Sequence, residues 1–507
     1  MKRIRRSIAI TIAALMFLAL AACTDGGTTP SGDGSPPAGN SSSPNLSANV
    51  PEGSNGATGQ EEEEEEFNGA AFMEEYYKKS SHDFGGEEFI IYAWWSSAFA
   101  EGSEQEAELN KVAEKYNCSA IKWLYPCEMS QMSARILTDE AAGTQANVCW
   151  LPISQFVPLA AGGYLATIDE VDYKSMVTVI DPFTEAFYYN GHQYGIVTGN
   201  HPEGLLYNRT LIQKYGFEDP QELFLKGEWT WDKFREICIG VMKDNNTRPD
   251  NPNYGLLAGW DMEWSGGMLP LLYTNGSGIT KNVDGKIVQN FDDPRTMEAL
   301  QFLSDLINVD MVCGPDRETI ERYATIAPFA KGNIAFMVGG GAVMETYMHT
   351  AEHDFVDAFV TYPRGPQAAQ DFTPQYFISG TVFPSKKDPV GAVEVYKAYL
   401  DVENVISAKL LDGSFDDEGI YNHFFGEKTY LRDKSLIRYC NPELEADIPT
   451  VRQMFSTVVG VLDAGYGMDS IITDMMSAIG TGMETPASAV AARVDKLQAA
   501  IDAKMGG

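Results

Sequence analysis

The residue order predicts an α/β protein divided into two lobes, and three observations carry that expectation. Beyond an atypical N-terminal tail, apolar runs of about five residues alternate with amphipathic stretches of helical period. The alternation opens strand–helix–strand–helix–strand, the order of a parallel sheet with helices on both faces. About 420 residues follow the tail, more than one ordinary hydrophobic core serves, so two lobes are expected.

Lys2, Arg3, Arg5 and Arg6 precede an apolar run from Ile8 to Ala22 that is too short to span a bilayer and ends in small residues. Residues 1–22 therefore read as an export signal. Leu20-Ala21-Ala22-Cys23 resembles a bacterial lipobox, which implies acylation of Cys23 and attachment to a membrane outside the cytoplasm. Two acyl chains hold a protein stably where one does not. From Cys23 to Gln60 the chain is rich in Gly, Ser, Pro, Thr and Asn, with too little apolar surface to offset the entropy of ordering. Glu61 to Glu66 repel one another. Residues 23–85 thus read as a disordered tether, with folded structure expected from about Glu87. A flexible chain of about 60 residues reaches roughly 40–47 Å.

The formal charge is −34, and four more negative without the basic residues of the signal. Such a surface repels nucleic acid and anionic lipid, which counts against both as partners. Cys118, Cys127, Cys149, Cys238, Cys313 and Cys440 allow fifteen pairings, and spacing selects none of them.

Phe89–Ala93 is a short apolar run suited to a buried strand, and it leads into Trp94-Trp95. Ser103 and Glu106 form a capping box before Leu109, Val112, Ala113 and Tyr116 at helical spacing. A strand over 120–124 follows, then a helix with Met129, Met132 and Ile136 on one side that stops near Gly143, then a strand over 146–150. The ligand crevice of such a sheet lies beyond the carboxyl ends of its strands. Farther on, Thr230 is the expected cap of a helix beginning at Trp231, and Asp284-Gly285 signals a hairpin. Asp293-Pro294 and Asp388-Pro389 each open a helix. Ile334–Val338 is an apolar strand entering Gly339-Gly340-Gly341.

The order of several short motifs resembles the family 1 extracellular solute-binding proteins. They are the strand ending in Trp94-Trp95, Gly162-Gly163-Tyr164-Leu165-Ala166-Thr167-Ile168-Asp169, and Tyr194-Gly195-Ile196. Next come Leu206-Tyr207-Asn208-Arg209-Thr210-Leu211 with Tyr215-Gly216, the segment from Thr230 to Phe234, and Phe329-Ala330-Lys331-Gly332-Asn333-Ile334-Ala335-Phe336-Met337. Together they run from about Phe89 to Asp502. The resemblance implies a two-lobed periplasmic-binding-protein-like fold of type II, with a hinge and an interlobe cleft. It places the crossings near Gly199–Pro202, Phe355 and Glu403, giving an N-terminal lobe of 86–200 and 356–402 and a C-terminal lobe of 201–355 and 403–507.

By the same resemblance the chain is the binding subunit of an ABC importer. It would take a carbohydrate, act with membrane permease subunits, need no cofactor and work as a monomer. Sugars offer flat C–H faces and a rim of hydroxyls, so their clefts need aromatic platforms ringed by planar polar groups. The candidates are Trp94, Trp95 and Trp150 at strand ends, and Trp260 and Trp264 flanking Asp261 and Glu263. Asn200 and His201 sit at the first crossover, and Gly340 and Gly341 offer backbone donors. Tyr376 and Phe377 are further aromatic candidates, because Val343 stands where maltose-binding members carry a Trp. Each aromatic residue also has a plain reading as core or hinge packing.

Two enzyme readings compete. His349-Thr350-Ala351-Glu352-His353 spells the pattern of inverted zinc peptidases, although no third ligand beyond a guess such as Glu427 presents itself. The carboxylates of so acidic a chain would also allow a surface-anchored glycoside hydrolase, and a carbohydrate-capture adhesin is a third class. No nucleophile elbow, P-loop or dinucleotide fingerprint is present.

Overall fold

The computed structural model describes residues 67–96, 99–176, 183–184, 186–198, 203–257, 269–284, 286–313, 326–339, 352–375, 378–412, 416–425, 445–460 and 467–505. Two principal sheets organise them. The first joins Ala120–Leu124, Glu88–Tyr92, Val148–Pro152, Ser379–Val382 and Gly195–Ile196, in that spatial order. Its first three strands are parallel, as the alternation predicts, while Ser379–Val382 runs antiparallel to both of its neighbours, so the sheet is mixed. The second joins Asp357–Thr361, Gly204–Asn208, Ile334–Gly339 and Tyr254–Leu257.

Alternating side chains of the first sheet feed two separate cores. Phe89, Ile91 and Val148 pack with Val112 and Ala113 of the helix Glu104–Lys115 and with Val393, Tyr396 and Tyr399 of the helix Pro389–Asp412. Tyr92, Cys149 and Leu151 pack on the other face with Met132 and Ile136 of the helix Met132–Ala142. This is the period of two at work on a sheet covered on both faces. One larger core, built on Leu205, Leu206, Tyr207, Phe336 and Phe359, holds the second sheet.

Local signals behave mostly as their chemistry demands. Ser103 accepts from Glu106 N–H, but the Glu106 carboxylate reaches the N–H of Gly102 rather than that of Ser103, so the box is shifted by one residue. Gly143 ends its helix with φ +71°, where a Cβ would be strained. Thr230 does precede the helix Trp231–Gly240, yet its side chain makes no capping bond. Asp284, at φ +53°, turns the hairpin between Thr280–Val283 and Lys286–Gln289. Asp293 accepts from Arg295 N–H at the start of Pro294–Ser304, and Asp388 accepts from Gly391 N–H at the start of Pro389–Asp412.

Three expected boundaries are corrected. The chain leaves the first sheet at Ile196 and enters the second at Gly204, with the expected crossing Gly199–Pro202 outside the described residues, and the return lies after Thr361 rather than at Phe355, because Asp357–Thr361 pairs with Gly204–Asn208 in the second sheet. Glu403 marks no crossing. It sits inside one continuous helix, Pro389–Asp412, which packs on the first-lobe helix Glu104–Lys115 and is followed by Asp417–Phe424 packed against it. Lastly, folded structure begins before Glu87: residues 67–85, assigned to the tether, include the helix Gly69–Tyr76 and hydrogen bonds into the body.

Candidate functional site

Tyr92 ends the first strand, and Ala93 N–H still pairs with Leu124 C=O at 3.0 Å, so the chain delivers Trp94 and Trp95 at the carboxyl edge of the sheet. Trp150 lies on the neighbouring strand opposite Thr381. The three indoles meet: the Trp94 and Trp95 ring centroids are 5.1 Å apart, Trp95 and Trp150 4.9 Å, and Trp94 and Trp150 6.4 Å. All three contacts are edge-to-face, the geometry the ring quadrupole favours.

Two further aromatic residues, which sequence reasoning passed over, complete the cluster. Trp123 sits 5.4 Å from Trp95 and donates its indole N–H to the Trp95 carbonyl at 2.9 Å. It also stacks on Tyr399 at 5.4 Å, and Tyr399 stacks in turn on Phe99 and on Tyr396. The missed signal was available in Trp123, carried on the strand next to Glu88–Tyr92. The role of Tyr399 depends on a contact across nearly three hundred positions, which no local pattern discloses.

Trp94, Trp95, Trp123 and Trp150 are each only partly buried, so the cluster is neither core nor open surface. The indole nitrogen of Trp150 is buried and has no hydrogen-bond partner. A buried donor left unmade costs about 1–3 kcal/mol, and such a group is accounted for when something else accepts from it.

At the crossings between the lobes, Glu203 is buried and its N–H bonds Pro374 C=O at 2.9 Å. Burial and, after it, the charge of Glu203 push the Tyr362 phenol well above its ordinary range, which keeps that group neutral. Thr198 and the Tyr396 hydroxyl lie 3.4 Å apart beside the same crossing.

Asn200, His201, Trp260, Asp261, Glu263, Trp264, Gly340, Gly341, Tyr376 and Phe377 lie outside the described residues, as do Cys23 and His349. Of the peptidase-like pattern, His353 is described: its Nδ1 is 2.9 Å from Phe355 C=O and its Nε2 is 3.6 Å from the Asp357 carboxylate. Its ring is thus committed to neighbouring chain. No group of three metal-ligating side chains occurs among the described residues. Cys118, Cys127, Cys149 and Cys238 are free thiols.

Comparison with known proteins agrees with this architecture. The model of the family described as bacterial extracellular solute-binding protein matches residues 109–406. The fold is similar to that of an ABC substrate-binding protein from Listeria monocytogenes in complex with cycloalternan, at 17% identity and TM-score 0.56, over 83% of this chain and 99% of that one. It is similar to the cyclic alpha-maltosyl-1,6-maltose binding protein from Arthrobacter globiformis, at 14% identity and TM-score 0.55, over 83% and 99%. It is also similar to UgpB from Mycobacterium tuberculosis in complex with glycerophosphocholine, at 17% identity and TM-score 0.56, over 83% and 100%. A family match over more than half of the chain, on a two-sheet scaffold with an aromatic cluster at the strand ends, is decisive for membership: the chain belongs to the bacterial extracellular solute-binding proteins.

Proposed function

We propose that the protein captures a carbohydrate, an oligosaccharide, between its lobes and hands it unaltered to the permease subunits of an ABC importer. The observation that carries this reading is the four-indole cluster at the carboxyl edge of the first sheet, with one buried indole N–H left without an acceptor. Indole edges and faces suit sugar C–H surfaces, and a lone N–H suits a hydroxyl. Structural neighbours bind cycloalternan and a cyclic maltosyl-maltose, whereas another binds glycerophosphocholine, so the scaffold alone does not choose the ligand. The indoles favour the sugar.

In this reading Trp94, Trp95 and Trp150 form the first-lobe wall of the cleft. Asn200, His201, Trp260, Asp261, Glu263, Trp264, Gly340, Gly341, Tyr376 and Phe377 supply the rest. Ligand that touches both walls stabilises the closed state by contacts the open state lacks, the only way a ligand shifts such an equilibrium. The protein works as a monomer held at the extracytoplasmic face of the cell membrane through acylated Cys23. A thermal-shift screen over mono- and oligosaccharides tests the proposal, because a ligand that binds the native state alone raises the melting temperature. One class of glycan is expected to stabilise by several degrees and to be recovered intact; no shift with any glycan, or recovery of cleaved sugar, sinks it.

A further inference from the structure

The segment that joins the tail to the body is held far more firmly than a linker needs. Asn68 caps the helix Gly69–Tyr76 by accepting from Ala71 N–H at 2.9 Å. One side of that helix lies on Asp417–Phe424: Phe72 meets Phe424 at 4.9 Å and Phe425 at 5.2 Å, and Tyr76 meets Phe424 at 5.2 Å. Gly69 is buried at the crossing of the two helices. A Cβ there would come within 2.5 Å of Asp417 Oδ1 and 2.7 Å of Ile420 Cδ1, so any larger residue has to displace the ends of those two side chains.

Polar chemistry locks the same contact. The Tyr76 hydroxyl donates to Asp401 Oδ2 at 2.7 Å, and the other oxygen of Asp401 is paired with His423 Nε2 at 3.1 Å. Asp401 and His423 are both buried. Lys115 sits 4.1 Å over the Tyr76 ring, a cation–π contact in a partly desolvated setting. The chain then stays attached: Ser80 N–H bonds Lys115 C=O, Phe84 N–H bonds Tyr116 C=O, and His82 pairs with Asp388 at 2.9 Å. All of these partners belong to the first lobe, on Glu104–Lys115, Pro389–Asp412 and Asp417–Phe424 or immediately beside them.

We propose that the first lobe carries a docking site for a short aromatic helix ending in tyrosine, and that residues 67–77 of this chain are its occupant. The tether then leaves the body from the first lobe alone. Residues 24–66, which the sequence reads as tether, become the connecting chain. Taken with the anchoring at Cys23 of the proposed function, the first lobe is the membrane-referenced half and the second lobe is the one that swings.

Hydrogen exchange on the full chain tests the docking itself, independently of any sugar. Tyr76→Phe removes the bond to Asp401, and Gly69→Val crowds Asp417 and Ile420 at the helix crossing without touching that bond. Each is expected to speed exchange of amides in Asp417–Phe424 about ten-fold or more, while amides of Glu88–Tyr92 keep their protection and report that the lobe is folded. A synthetic peptide of residues 67–79 added to the Gly69→Val protein restores the protection. Unchanged exchange in both variants, or wild-type residues 69–76 exchanging at the rate of the free peptide, overturns the proposal. Glycan binding is read separately by thermal shift. Its absence would remove the proposed function and leave the docking result intact.

Discussion

At the scale of single residues, the indole nitrogens separate packing from recognition. Trp150 and Trp231 both bury an N–H without a partner, but Trp231 stacks on Phe302 at 4.4 Å inside the second-lobe core, whereas Trp150 belongs to the strand-end cluster. Replacing either by Phe removes one donor and a similar volume. Trp150→Phe is therefore expected to weaken glycan binding about ten-fold and Trp231→Phe to leave it unchanged, both measured by titration calorimetry on protein of matched stability. Equal losses, or no loss in either, would show that the Trp150 donor has no part in recognition. Trp123 offers the complementary case. Its truncation to Ala loses the Tyr399 stack and the bond to the Trp95 carbonyl, so chemical denaturation is expected to show a loss of about 2 kcal/mol together with weaker binding.

Single elements show which parts of the fold a local reading can reach. Asp293 takes the cap of Pro294–Ser304, and its carboxyl is held below the usual range, chiefly by the Arg295 side chain it bonds and also by the backbone N–H it accepts. A folded pKa below the unfolded one gives stability that is present above about pH 4 and lost as pH falls through the lowered value. The Asp293→Ala protein should thus melt earlier than the wild type at pH 6, by about 1 kcal/mol, with the gap closing toward pH 2. A gap independent of pH would contradict the charge argument. Such caps, the Gly143 terminator and the Asp284 hairpin were all legible, because each is settled by residues within a turn of one another. So was the alternation that builds the first sheet. The lobe boundaries were not: nothing local says that Asp357–Thr361 pairs with Gly204–Asn208, and the absence of Gly and Pro from 392 to 412, which lets that helix run through Glu403, was a signal left unused. The helix Gly69–Tyr76 was hidden by its neighbours, since its aromatic side acquires a partner only when Asp417–Phe424 is folded against it. Of the candidate site, Trp94 and Trp95 were readable as following a strand, whereas Trp150 lies in the middle of Val148–Pro152 rather than at its end, and the mutual contacts of the indoles join three strands and a distant helix.

The whole molecule raises the question of which pieces move together when a ligand is taken. Among the described residues the chain passes from one principal sheet to the other between Ile196 and Gly204 and between Thr361 and Ser379, and beyond Glu445 the side chains of Val451 and Met454 join the core of the second sheet. A hinge is expected outside the helix Pro389–Asp412 and the cores on either side of the first sheet, because these cannot deform without opening packed surface. Residues 389–425 therefore travel with the first lobe. Spin labels at Lys111 and Glu418, both exposed and both on that lobe, are expected to keep their distance when glycan is added, whereas a pair at Glu418 and Gln301 should draw together by several ångströms. If the hinge lay at Glu403 the pattern would invert, with Glu418 moving away from its Lys111 partner and holding station with Gln301. The same pairs measured in Gly69→Val protein separate hinge from latch: closing should survive the variant, because the docked helix touches one lobe only. Closure lost in that protein would mean instead that the N-terminal helix belongs to the hinge.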